Sequence, residues 1–118
     1  MKIEAITPSI GAEISGLSLN KDLNDDMCDQ IYNALIKHQV VFFRDQDLSP
    51  ENHLKLAKSF GEPEPPHPVY PHVDGYENIV LLKNAKDSIP NTTDWHKDLS
   101  FKSNPPFASI LHGIKIPD

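Results

Sequence analysis

Five prolines fall within nine residues in the middle of this 118-residue chain: Pro63, Pro65, Pro66, Pro68 and Pro71. Each lacks a backbone N–H and locks φ, so no continuous helix or central strand can cross the segment. An extended loop is the expected form. The loop also holds His67, Tyr70 and His72, aromatic and polar groups that a flexible spacer seldom needs. On the residues alone, a binding loop and a spacer both remain open.

On either side the pattern predicts short regular elements. Lys2–Thr7 alternates, Pro8 and Gly11 interrupt, and Ala12–Ser15 resumes the alternation before Gly16, which predicts two short strands. From Asn24 the period changes. Met27, Ile31 and Leu35 recur every fourth position, with Ala34 beside them and Asp25, Asp26 and Asp29 at the N-terminal end, which predicts a helix ending near Lys37–His38. Gln39–Phe43 is β-branched and aromatic on consecutive positions, as in a strand covered on both faces and lying inside a sheet. Ser49 as N-cap and Pro50 at the first helical position predict a second helix, with Leu54, Ala57 and Phe60 on one face and Gly61 as its stop. Beyond the proline segment, Ile79–Leu82 reads as a strand and 88–93 as a turn. His96–Phe101 reads as a strand led by Trp95, and Pro117-Asp118 is a turn signal.

Composition excludes several roles. Eleven basic against seventeen acidic residues leave a formal charge of −6, and no basic run or aromatic-basic interleaving occurs, so nucleic acid is not an expected partner. The apolar runs are far too short to cross a bilayer, and the first residues carry no signal-peptide apolar region, so the expected location is cytoplasmic, with no membrane partner. The single cysteine, Cys28, has acidic neighbours rather than a cation that would favour its thiolate, and reads as a part-buried thiol. Arginine occurs once, at Arg44.

The stretch Asp94-Trp95-His96-Lys97-Asp98-Leu99 carries the chemistry. Residues two apart on a strand share a face about 6–7 Å apart along the backbone, so the His96 imidazole and Asp98 carboxylate would project together. A neutral nitrogen donor beside an anionic oxygen donor suits divalent iron better than the thiolate set of structural zinc or the all-oxygen set of calcium. One further histidine would complete a facial triad with open positions for a chelating cosubstrate and oxygen. The triplet alone is a weak signal, and an exposed His and Asp on an edge strand is its ordinary alternative.

Five ordered blocks raise the specificity: Ile10–Gly16, His38–Gln46, Phe60-Gly61, His67–His72, and Trp95-His96-x-Asp98 with Phe101 and Pro105-Pro106. Through them nearly the whole chain resembles the N-terminal part of the taurine dioxygenase family, Fe(II)- and 2-oxoglutarate-dependent oxygenases that also include 2,4-dichlorophenoxyacetate dioxygenase and alkylsulfatase-type members. The resemblance implies an α+β fold: a partial double-stranded β-helix, or jelly roll, with N-terminal helices packed on the sheet, residues 1–118 being the first portion of one incomplete domain. It implies His96 and Asp98 as metal ligands for Fe(II), with 2-oxoglutarate as cosubstrate. The reaction would couple oxidative decarboxylation of 2-oxoglutarate to hydroxylation of a small sulfonate such as taurine.

His67 and Tyr70 match residues that hydrogen-bond the sulfonate in taurine-specific members; an imidazolium and a phenol both donate to an anionic oxygen. Thr92 stands where those members carry an asparagine that contacts substrate, so taurine is less firmly implied than the subfamily and a related sulfonate or sulfate ester stays open. The family's distal histidine and its 2-oxoglutarate-binding arginine fall beyond residue 118, and Arg44 matches a framework position. His112, fourteen residues past Asp98 with two prolines between, is a poor substitute. The 118 residues alone would then be inactive, poorly stable or self-associating, and weak in binding iron, the expected companion being a missing C-terminal portion or a second copy. A non-catalytic remnant or small-anion binding module is the alternative. A small metal-dependent hydrolase is weaker, because no third ligand or general base stands beside the pair.

Overall fold

The computed structural model describes residues 1–85, 87 and 94–116. The chain divides at the start of the proline-rich segment into two compact units, Met1–Phe60 and Gly61–Asp118.

In the first unit, β1 (Lys2–Ala5) pairs antiparallel with β2 (Ala12–Ser15), setting Ile3 opposite Ile14. Helix α1 (Asp25–His38) then crosses over, so β3 (Val41–Phe42) lies parallel to β2, with Ala12 opposite Val41. Local chemistry defines the helix ends. The Asn24 side chain accepts from the Met27 N–H at 2.8 Å, Asp25 and Asp26 occupy the first turn, and Lys37 and His38 the last. Gln39 turns left-handed at φ 67° and donates its N–H to the Leu35 carbonyl. Alternation along β2 sends Ala12 and Ile14 inward, where Ile14 meets Ile31 and Ala34 of α1. Replacing Asn24 by alanine orphans an N-terminal donor, and we expect a loss of about 1 kcal/mol, read as a lower urea midpoint of this unit.

Two expectations for this unit change. The 39–43 run is not an interior strand: only Val41–Phe42 pairs, at the outer position of the order β1-β2-β3. Gln39 is taken up by the helix cap, and Phe42 stays 41% exposed with the Arg44 guanidinium 5.4 Å from its ring centroid. The second helix, α2 (Pro50–Lys58), starts as expected, with the Ser49 hydroxyl accepting from the Asn52 N–H, but it buries Leu56 most deeply. Leu54, Ala57 and Phe60 are half-buried, and Ser59 rather than Gly61 caps the helix.

The second unit has little regular structure. Residues 62–71 form the expected loop. A hairpin follows, β4 (His72–Val73) with β5 (Tyr76–Val80), turning through Asp74-Gly75. Gly75 sits at φ +78°, a conformation that tight turns demand and side chains resist. That Asp-Gly signal was available in the sequence; the strand expected at Ile79–Leu82 in fact starts at Tyr76 and stops at Val80. The strand expected over His96–Phe101 is absent. The backbone bends there, with Leu99 at φ +49° and the Lys102 N–H donating to the Leu99 carbonyl at 3.2 Å. The turn expected at 88–93, Thr92 and Pro117-Asp118 lie outside the described residues.

Among the described residues, every deeply buried apolar side chain belongs to the first unit: Ala12, Ile14, Leu19, Ile31, Ala34, Leu48 and Leu56. The second unit instead exposes Trp95 completely, and Phe101, Leu111 and Ile114 largely. The described residues form two helices, a three-stranded and a two-stranded sheet, an α+β arrangement. No helix among the described residues is long and apolar enough to cross a membrane.

Candidate metal centre and anion loop

The bend that replaces the expected strand still brings the two candidate ligands together. His96 Nε2 lies 3.2 Å from Asp98 Oδ1. Two ligand atoms bound at right angles to one ion, each about 2.1 Å from it, stand about 3.0 Å apart, so this separation matches the bite of a shared metal. The other polar atom of each side chain has its own partner. His96 Nδ1 is 3.0 Å from the Asp94 carbonyl, which can only accept, so Nδ1 is assigned the proton. Nε2 is then the ring atom that faces the Asp98 carboxylate, where it can ligate a cation shared with Oδ1. The Ser109 hydroxyl donates to Asp98 Oδ2 at 3.2 Å, which leaves Oδ1 for the histidine side. Carbonyl and hydroxyl partners of this kind orient metal ligands.

Sequence reading offered His96 and Asp98 as candidates, and neither of the groups that hydrogen-bond them. The Asp94 carbonyl depends on a local bend, and Ser109 lies eleven residues from Asp98 with no periodicity to link them. The pair is open, its side chains 59% and 58% exposed. Among the described residues no group of three His, Cys, Asp or Glu side chains is placed to hold a metal. The described residues thus offer two candidate donors here and no third.

The proline-rich loop presents the second expected pair. His67 and Tyr70 stack with ring centroids 4.6 Å apart and planes tilted by 41°. His67 Nδ1 accepts from the N–H groups of Val69 and Tyr70, each at 3.1 Å, so the ring closes a turn around Pro68. An Nδ1 that accepts is unprotonated. With Nδ1 accepting, the ring N–H left to meet an anion is the one on Nε2. His67 is exposed and Tyr70 half-buried, as suits a loop that offers polar hydrogen to a small ligand.

Comparison with known proteins places this geometry in context. A family model described as taurine catabolism dioxygenase TauD, TfdA family matches residues 2–118. An alkylsulfatase of Acinetobacter baylyi is 38% identical over 119 residues, covering 100% of this chain and 37% of the relative. An alpha-ketoglutarate-dependent sulfate ester dioxygenase of Pseudomonas putida is 36% identical over 118 residues, covering 99% of this chain and 38% of the relative. Among solved structures, a taurine dioxygenase from Burkholderia xenovorans superposes with a TM-score of 0.61 at 41% identity, over 64% of this chain and 27% of that one. The chain thus spans under two fifths of the length of the curated relatives it matches.

Proposed function

The chain belongs to the TauD/TfdA dioxygenase family, and from that premise we propose that it carries the proximal metal ligands and an anion-binding loop of an Fe(II)- and 2-oxoglutarate-dependent dioxygenase acting on small sulfate esters or sulfonates. The observation that carries this reading is the 3.2 Å approach of His96 Nε2 to Asp98 Oδ1, each ligand turned by its own outer hydrogen bond. The jelly roll belongs to the same proposal: the five strands among the described residues are fewer than such a sandwich requires.

Bound iron would supply a redox centre with open positions for 2-oxoglutarate and oxygen. The residues of the chain hold and orient. Asp94 and Ser109 set the two ligand side chains, which fixes where the substrate carbon must be brought. His67, through Nε2–H, and the Tyr70 phenol bind the anionic head and turn its carbon chain toward that point, with Thr92 as a further contact. Sulfonates and sulfate esters share the oxygen-rich anionic head that these donors recognise. The relatives named for sulfate esters favour that class over taurine as the substrate of this chain.

A graft tests the proposal independently of what lies outside these 118 residues. Residues 1–118 replace the matching 37% of the Acinetobacter alkylsulfatase. We expect oxygen uptake that requires 2-oxoglutarate and rises more with an alkyl sulfate than with taurine. A graft that folds and binds Mn(II) but takes up no oxygen with either compound sinks the oxygenase reading. If that inert graft still binds sulfate, the second reading, a small-anion binding module, takes its place; the two-donor, open metal pair is the observation in its favour.

A further inference from the structure

Between the anion loop and the ligand bend, the second unit holds one ion pair that neither role uses. The Lys102 Nζ meets Glu64 Oε2 at 2.5 Å, across 38 residues of sequence. Its side chains are 38% and 37% exposed, the least of any ion pair among the described residues. Reduced exposure matters because water screens such pairs toward zero when they are open.

Both ends are tied to something further. The Glu64 carbonyl accepts from Asn78 Nδ2 at 2.8 Å, so the start of the proline-rich loop is fastened to β5 three residues before His67. The Lys102 N–H donates to the Leu99 carbonyl, closing the turn that begins directly after Asp98. Leu99 holds φ +49° in that turn, a conformation a leucine keeps only when its surroundings enforce it.

Resting on the function proposed above, we propose that Glu64 is a positioning residue: through Lys102 it couples the His67–Tyr70 loop to the His96–Asp98 bend, so that the anion donors and the metal ligands keep one mutual geometry. Glu64 touches neither substrate nor metal. Its effect on the reaction is on where the anionic head sits relative to the ligand pair, and hence on which carbon is presented. A strut of this kind predicts that a change at one end is felt at the other, and that the sign of each charge is immaterial so long as the two remain opposite.

Ring resonances of His67, Tyr70 and His96 in the metal-free 118-residue chain test the strut by nuclear magnetic resonance. We expect Glu64→Gln and Lys102→Met each to move all three sets of signals. The double reversal Glu64→Lys with Lys102→Glu should return them toward the wild-type positions. The affinity for inorganic sulfate, read at His67 and Tyr70, should fall about fivefold in each single variant, a typical coupling between linked sites, and recover in the reversal. Amide signals of the β4–β5 hairpin in the same unit should stay dispersed, which separates loss of the strut from loss of fold. The proposal is overturned if Lys102→Met leaves His67 and Tyr70 in place, or if the reversal behaves like the single variants. Failure of the parent reading is distinct: it appears as Mn(II) leaving the His96 lines sharp in the wild-type chain.

Discussion

Alanine at His96 or at Asp98 should remove most of the chain's affinity for Mn(II), by about 100-fold. That is the upper end of what loss of an outer-shell partner alone costs, and a lost ligand costs no less. The reasoning is local. With Nδ1 committed to the Asp94 carbonyl and Oδ2 to Ser109, the atoms of this pair left for a common ion are Nε2 and Oδ1, 3.2 Å apart. Removing either leaves a single exposed donor, which competes poorly with water. Ser109→Ala should fall between, with a loss of about tenfold, because the carboxylate remains but rotates freely. Asp98→Asn separates charge from shape: the amide fills the same space and lacks the anion a divalent cation requires. Free Mn(II) followed by electron paramagnetic resonance during titration measures all four. Unchanged affinity in His96→Ala would refute the assignment of the pair.

Ile14→Ala should destabilise the first unit by about 3 kcal/mol, a large share of what a domain of this size has to lose. Ile14 is 1% exposed, lies opposite Ile3 on β1, and packs on Ile31 and Ala34 of α1, with Leu17, Leu23, Val41, Phe43 and Phe60 around them. Its side chain therefore joins sheet to helix, and truncation leaves a cavity that two rigid elements cannot close. Hydrogen exchange distinguishes the units. Amides of β2 and α1 should lose protection in the variant, whereas those of the second unit should be little changed, because the cluster around Ile14 is built from residues of the first unit. Equal loss of protection across both units would show instead that they unfold as one.

Much of the first unit was legible in the sequence because its signals act within three or four residues. Asn24 and Ser49 cap their helices through the side-chain bonds those residue types offer, and the stripe Met27, Ile31, Ala34 and Leu35 marks the packed face of α1. The alternation of Ala12–Ser15 likewise marks the inward face of β2. The ordered motif blocks carried the family, which the match over residues 2–118 bears out. The choice of His96 and Asp98 as candidates also came from the chain alone.

Only the tertiary structure decided how those candidates meet. A strand would have set them side by side on one face; a bend with Leu99 left-handed turns them toward each other, held by Asp94 and Ser109. It also placed β3 at the edge of its sheet and rotated α2 so that Leu56 is its most buried residue. It joined Glu64 to Lys102 as well. For the contacts made across the chain the physical reason is the same. Composition and periodicity state what a residue prefers near its neighbours in the chain, whereas the pairing of an edge, the depth of a side chain and the partner of a charge depend on groups eleven to thirty-eight residues away, whose arrival no local preference encodes.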